Sequence, residues 1–495
     1  RVINTGWDSD VCVATALVSM YGRCGDTNSG QKLFSNFDEK DVVIWNAMIT
    51  TYAQNRVAKD ALLLYAQMHQ EALLPNRVTH VSVLQACATD ALSVQGKQVH
   101  ACIVKNVNFR SELVVENVLI SMYGNCGQLE YAQSVFEQMN EKDVVSWSSM
   151  IGACSQHGHS MRALQVLYEM DHAGVTPNEG TLVNVISSHT NSSTHLSQCR
   201  YLHSWIIANG HVCAGETGNA LITMYAKNGN LEDAQHAFDH LVEKDKVTWN
   251  ALISGYAQNG YGINVLKLFG HMQVEGILAD NVTFANVLSA CCGEDVELVK
   301  GRHIHAQILN THFHSDDVIQ NAILHMYGKC GVMEDAHSLF TEMRSPNLIS
   351  WNSMITGAAQ HGNGLSCLCL LWKMHESGVK PNTITFVGIL TACSHAGLIV
   401  EAKHCLSLLE EYYGFTASID HLNCMIDMLG RMGRLSEMWN LIVHMPFQPT
   451  GVSYTTLLNA CKQHVQMDLG VFAAECAFEM IPEASALPLL MSNIY

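Results

Sequence analysis

The chain has 495 residues, of which 48% are hydrophobic and only 15% charged, and it carries a net charge of −18. That apolar content excludes a disordered chain, no apolar run reaches the roughly 18 residues a transmembrane helix needs, and the acidic balance argues against strong non-specific binding to a phosphate backbone. The 18 cysteines are scattered through a chain with no secretory start, which points to reduced thiols.

Residues 1–10, RVINTGWDSD, read as the tail of a repeat, and with no initiator Met the chain reads as a fragment. From Val11 onward the sequence is periodic. EKDVVIWNAMI at Glu39–Ile49 returns as EKDVVSWSSMI at Glu141–Ile151, as EKDKVTWNALI at Glu243–Ile253 and, more loosely, as SPNLISWNSMI at Ser345–Ile355. Trp45, Trp147, Trp249 and Trp351 are spaced by 102 residues, as are the Met-Tyr pairs from Met20-Tyr21 to Met326-Tyr327, with Met428-Leu429 continuing the series. A fixed period is the signature of an array whose units bury their apolar faces on their neighbours.

Each period divides into three helical hairpins of unequal length. Units of 31 residues are expected at 11–41, 113–143, 215–245 and 317–347, with a 32-residue copy at 419–450. Units of 35 residues follow at 42–76, 144–178, 246–280 and 348–382, and units of 36 at 77–112, 179–214, 281–316 and 383–418. Within 144–178, Trp147, Met150, Ile151 and Cys154 share one helix face, and HGHS (His157–Ser160) breaks the helix. Leu164, Leu167, Tyr168 and Met170 mark the second helix, before a Gly- and Pro-containing stop. The expected fold is all-α, an α-solenoid of stacked helix-turn-helix repeats.

WNALISGYAQNG (Trp249–Gly260), GKQVHACIVK (Gly96–Lys105) and NALITMYAKNGNLEDAQHAFD (Asn219–Asp239) closely resemble the pentatricopeptide repeat proteins of land plants. The alternating 35, 36 and 31 lengths resemble the subgroup built from P-type, long and short repeats. GILTACSHAGL (Gly388–Leu398), CMIDMLGRMGRL (Cys424–Leu435) and MPFQPTGVSYTTLLNACKQH (Met445–His464) resemble that subgroup's last triplet and the start of its E-type extension, so 451–495 reads as a truncated extension and 1–10 as the end of a long repeat. Tetratricopeptide repeats, the nearest alternative, have a regular 34-residue period that is not found here.

The resemblance implies binding of single-stranded RNA, one base per repeat, for site selection in organellar C-to-U editing. The fifth residue of a repeat would read the base edge, the last residue would support it, and the second would pack on the base face. The readers would be Thr15, Asn117, Asn219 and Asn321 in short repeats and Asn46, Ser148, Asn250 and Asn352 in P-type repeats. Their partners would be Asp41, Asp143, Asp245, Asn347, Asn76, Asn178, Asp280 and Asn382. Asn offers a donor and an acceptor together, but Asp and Asn before a helix are also common caps. Base-stacking candidates are Val43, Val114, Val145, Val247, Val318 and Ile349; Glu216 departs from that pattern. Long repeats carry Val81, Val183, Ala285 and Val387 at the reading place, side chains that cannot read a base edge by hydrogen bonds. By the family's pairing rule the target reads 5′-GYnUAnUUnYYnn, with the base facing Asn423 and Thr450 left open. Lys227, Lys329, Arg431 and Arg434 are placed to approach phosphates.

Editing by such proteins needs a zinc deaminase with H-x-E and P-C-x-x-C motifs. HQE at His69–Glu71 lies in a repeat helix and the chain has no C-x-x-C. No catalytic residue, cofactor or metal is therefore assigned; His303, His305, His312 and His314 read as structural or solvated. A deaminase domain beyond this chain or an editing accessory protein would be the partner, besides organellar RNA. The location implied is mitochondrial or plastid, with the mitochondrion favoured. The alternatives are an RNA binder for stability or splicing and a protein-binding scaffold, which the charge of −18 favours.

Overall fold

The computed structural model describes residues 11–37, 40–105, 112–190, 196–211, 215–293, 296, 298–466 and 469–474, and among them every element is helical. Two compact units divide at Gly255 and Tyr256. In unit 1 the helices follow in pairs: α1 (Val11–Arg23) and α2 (Thr27–Ser35), α3 (Val42–Gln54) and α4 (Ala58–Gln70), α5 (Arg77–Thr89) and α6 (Ser93–Lys105), α7 (Leu113–Asn125) and α8 (Leu129–Gln138). They continue with α9 (Val144–Gln156) and α10 (Ser160–His172), α11 (Glu179–Ser188) and α12 (Leu196–Ala208), α13 (Gly215–Lys227) and α14 (Leu231–Asp239). Helix α15 (Lys246–Gln258) contains the boundary.

Unit 2 holds α16 (Gly262–Val274), then α17 (Asn281–Ala290) and α18 (Leu298–Leu309), α19 (Asp317–Lys329) and α20 (Met333–Glu342), α21 (Leu348–Gln360) and α22 (Gly364–Glu376). It closes with α23 (Thr383–Ala396) and α24 (Ile399–Ser407), α25 (Ile419–Arg431) and α26 (Leu435–His444), and α27 (Gly451–Gln463). The first helices pack side by side, α1 through α13 by odd numbers in unit 1 and α17 through α27 in unit 2. Each unit is thus an α-solenoid, in which every pair is completed by its neighbours.

The recurring EKDVxxW segment is a junction between successive pairs. Trp45, Trp147, Trp249 and Trp351 are all buried. Each meets a Phe of the preceding second helix edge-on: Phe34, Phe136, Phe238 and Phe340, at centroid distances of 4.9, 4.9, 4.8 and 4.6 Å. Lys40, Lys142 and Lys244 lie over the same Phe rings at 5.3, 5.2 and 5.2 Å. All three ammonium groups also donate to carbonyls just past that helix, Lys40 to Phe37, Lys142 to Met139 at 3.0 Å and Lys244 to Leu241 at 2.8 Å. One aromatic pair adds about 0.5–1.5 kcal/mol beyond its buried area, and an exposed cation–π contact about 0.5–1. The fourth copy has Pro346 in place of the Lys and keeps only the aromatic pair.

A second recurring device sets the distance between neighbouring first helices. A Cβ built on Gly124 would lie 2.5 Å from Ala153 Cβ, and one on Gly255 2.5 Å from Ala226 Cβ. Gly22 faces Thr51, Gly430 faces Ala460, and Gly328 and Gly357 meet backbone to backbone. Small residues here let adjacent helices approach far closer than Leu or Met would permit. Elsewhere His100, His203 and His305 lie 2.8, 3.1 and 2.9 Å from the hydroxyls of Tyr123, Tyr225 and Tyr327. Each ties a second helix to the next first helix, and burial lowers the pKa of all three histidines.

Candidate nucleic-acid interface

The second residue of most first helices is apolar and exposed. In unit 1 these are Val43, Val78, Val114, Val145 and Val247; in unit 2 they are Val282, Val318, Ile349, Ile384 and Val452. Exposure runs from 46% at Val114 to 62% at Ile349, unusual for β-branched side chains in a chain with so much core. Six of the ten are the base-stacking candidates named from the sequence. Val78, Val282 and Ile384 escape that reading because the residue three places on is apolar in each, Val81, Ala285 and Val387, which points away from base reading. Gly180, Glu216 and Asp420 hold the same place without an apolar side chain.

Three residues further on lie the expected readers, one turn away and on the same face. They are far less exposed: Asn46, Asn117 and Asn321 are each 7% accessible. Their partners, the residues before the next first helix, are helix caps. Asp41 accepts from the N–H groups of Val43 and Ile44, both at 3.0 Å. Asn76, Asp143, Asp280, Asn347 and Asn382 form capping boxes with Thr79, Ser146, Thr283, Ser350 and Thr385. Asn178 and Asp245 accept from the N–H groups of Thr181 and Thr248, both at 2.8 Å. Capping and contact with the reader are not exclusive, because one oxygen serves both. Asn46 Nδ2 donates to Asn76 Oδ1 at 3.0 Å, Asn117 Nδ2 to Asp143 Oδ1 at 3.3 Å, Asn321 Nδ2 to Asn347 Oδ1 at 3.5 Å and Asn352 Nδ2 to Asn382 Oδ1 at 3.3 Å. The Thr248 N–H and hydroxyl hold the Asp245 carboxyl below its usual pKa. For Asp143 burial pushes the pKa up, and bonds from Ser146 and Asn117 more than offset it.

The carbonyl side of the reader amides divides them. Asn117, Asn219 and Asn321 each leave Oδ1 buried with no partner among the described residues. Asn46 and Asn352 instead accept from the hydroxyls of Thr79 and Thr385, both at 2.6 Å. Ser148 donates to Val144 O at 2.7 Å and meets the Thr181 hydroxyl. Thr15 turns its hydroxyl back to Val11 O at 2.7 Å. Asn250 lies in unit 1 and its expected partner Asp280 in unit 2.

Basic residues recur at the end of the first helices. Arg23, Lys227, Lys329 and Arg431 are each the last residue of a 13-residue helix, and all are exposed. Eleven residues separate them from the second position, so both lie about 20° apart around the axis and roughly 16 Å apart along it. Arg23 joins the set only once the end of its helix is known. Arg431 is held by Asp427 at 2.8 Å, and Arg434 pairs with Glu437. Among the described residues no group of three His, Cys, Asp or Glu is placed to hold a metal, and no helix is long and apolar enough to cross a membrane.

The fold and this edge define a helical-repeat protein that offers, in six of its first helices, an exposed apolar side chain one turn from an Asn or Ser. Models of the PPR repeat match residues 40–89, 244–293 and 346–395 as "PPR repeat family", and 117–144, 145–175, 219–245, 321–348 and 421–446 as "PPR repeat". A chloroplastic pentatricopeptide repeat-containing protein of Arabidopsis thaliana is 33% identical over the whole chain, and the chain covers 61% of it. A mitochondrial one from the same plant is 33% identical over 98% of the chain, covering 70% of that relative. The chain belongs to the pentatricopeptide repeat family. It spans 57 to 64% of the length of four of its Arabidopsis relatives. The crystal structure of maize PPR10 in complex with an 18-nucleotide psaJ RNA element matches with a TM-score of 0.59 over 98% of this chain and 82% of that one. At 17% identity that likeness carries the fold alone.

Proposed function

We propose that this chain binds single-stranded RNA in a plant organelle, one base per repeat, and selects sites for C-to-U editing by a deaminase supplied by a further C-terminal domain or in trans. The observation that supports this best is the juxtaposition at Val114 and Asn117, and again at Val318 and Asn321. An exposed apolar side chain lies one helical turn from an amide whose carbonyl oxygen is buried and unpaired. A buried unpaired acceptor costs about 1–3 kcal/mol, which a base donor would recover once the amide turns towards it. The apolar neighbour offers a surface for the base face, and stacking platforms of this kind are sequence-tolerant. Arg23, Lys227 and Lys329 supply local positive charge that the net charge of −18 conceals, while the charge of Arg431 is paired with Asp427. The repeat types, the E-type extension and the target 5′-GYnUAnUUnYYnn belong to the same proposal. The relatives named chloroplastic and mitochondrial support an organellar location for the whole protein.

The test is fluorescence anisotropy at low salt with the 13-nucleotide target and a composition-matched scramble, using the wild-type chain and Asn117→Thr. The target should bind more tightly, and preference at its fourth base should move from U towards G, by about tenfold when one two-bond pairing is broken. Equal weak binding to both RNAs, unchanged by the substitution, would sink the reading in favour of a protein-binding scaffold.

A further inference from the structure

Asn321 and Asn352 make a matched pair. Both are readers, both belong to unit 2, and both donate Nδ2 to an Asn at the end of their repeat. They differ in what approaches the carbonyl. The third residue of the next first helix is Ser350 behind Asn321 and Thr385 behind Asn352. The Ser350 hydroxyl lies 3.2 Å from the cap Asn347 and does not reach the reader, whose Oδ1 is left without a partner. The Thr385 hydroxyl lies 2.6 Å from Asn352 Oδ1 and 2.9 Å from Asn382 Oδ1. A hydroxyl has one proton, and the shorter contact takes it.

Unit 1 repeats the contrast. Thr79 lies 2.6 Å from Asn46 Oδ1 and 3.2 Å from the cap Asn76. Ser146 instead gives its hydroxyl to the cap Asp143 at 2.8 Å, and Asn117 Oδ1 stays unpaired.

Resting on the RNA-reading proposal above, we propose that this threonine sets the strength of the reader in front of it. Asn46 and Asn352, whose carbonyls are held by Thr79 and Thr385, are weak readers, while Asn117, Asn219 and Asn321 carry the specificity. A reader with its carbonyl held has one of the oxygen's two lone pairs taken and is fixed in place, so it offers a base mainly its one remaining N–H. Every base has an acceptor on its Watson–Crick edge, so one donor discriminates poorly. A reader whose carbonyl no hydroxyl holds can turn its amide to a base and offer donor and acceptor together, and a base of the wrong pattern leaves one of them unpaired. Asn423, held by Ser453 at 2.7 Å, falls in the weak class. Threonine recurs at 79, 181, 283 and 385, a spacing of 102, so the device belongs to one place in the period; Thr248, at another place in the period, gives its hydroxyl to the cap Asp245 at 2.8 Å and leaves Asn219 Oδ1 unheld.

The experiment uses the 13-nucleotide target with a purine placed at the tenth base, facing Asn321, or at the eleventh, facing Asn352. In the wild-type chain the first change should weaken binding about tenfold and the second about twofold. Thr385→Val should raise the eleventh-base penalty towards tenfold and leave the tenth unchanged, while Thr385→Ser, which keeps the hydroxyl, should leave both as they were. Thr79→Val should do the same at the second base, in the other unit. Equal penalties at bases ten and eleven in the wild-type chain would overturn the proposal without any variant, as would a Thr385→Val protein with native helical content and an unchanged eleventh-base penalty. Both results would leave RNA reading intact. Failure of the wild-type chain to distinguish target from scramble is a different result, and it removes the RNA reading and this inference together.

Discussion

The close approach of α19 to α21 gives a stability prediction with a sign that generic helix chemistry would reverse. A Cβ on Gly357 would lie 2.8 Å from Gly328 Cα and 3.3 Å from Met333 Sδ. Carbon atoms in ordinary contact sit no closer than about 3.4 Å, so the helices would have to part by about 0.6 Å. Overpacking of this kind costs about 1–3 kcal/mol. Replacing a helical Gly by Ala returns about 1 kcal/mol of propensity. Gly357→Ala should therefore destabilise unit 2 by about 1 kcal/mol. Gly270, inside α16, has nothing within 4 Å of its Cβ position, and Gly270→Ala should stabilise by about 0.5–1 kcal/mol. Urea denaturation followed by circular dichroism gives the two signs. Hydrogen exchange in α19 and α21 locates the first, which matters because repeat arrays depart from two-state unfolding. If both substitutions stabilise alike, the interface absorbs a methyl group and the close-approach account is wrong.

Two more outcomes follow from the charges. Burial lowers the pKa of His80 to about 4 and depresses those of His100, His203 and His305. The unfolded chain protonates first, near pH 6.5, so their contribution is complete above that and is lost as pH falls towards about 4. The depressed carboxyls of Asp143 and Asp245 lose theirs only below the ordinary carboxylate range. Acid titration of the urea midpoint should thus show loss beginning near pH 6, and His80→Gln should flatten it; a midpoint constant down to pH 4.5 would contradict this. On the RNA side, Lys227→Ala with Lys329→Ala should reduce the slope of log affinity against log salt by roughly 0.7 for each phosphate no longer neutralised, without altering base preference. An unchanged slope would place both lysines off the RNA path.

Much of the fold was legible because periodicity is a one-dimensional property. The 102-residue spacing of Trp45, Trp147, Trp249 and Trp351 announced an array. The break at HGHS separates α9 from α10, since Gly158 takes a φ of +70° that a helix cannot continue. The apolar faces could be read from i, i+3 and i+4 spacing alone. The candidate site was legible only through the resemblance. Nothing local distinguishes an Asn that caps from one expected to read, and Asn76 and Asn382 cap while touching Asn46 and Asn352.

The sequence by itself determined the helical class, the period and the family, because each is carried by residues a few positions apart. Only the tertiary structure decided which polar groups are satisfied. Thr79 meets Asn46 across 33 positions and Thr385 meets Asn352 across another 33, while Ser350 stops short of Asn321. These contacts depend on how closely two stacked helices approach and on where one hydroxyl proton points. Gly328 against Gly357 fixes one such approach, and no spacing rule along a single chain contains that distance.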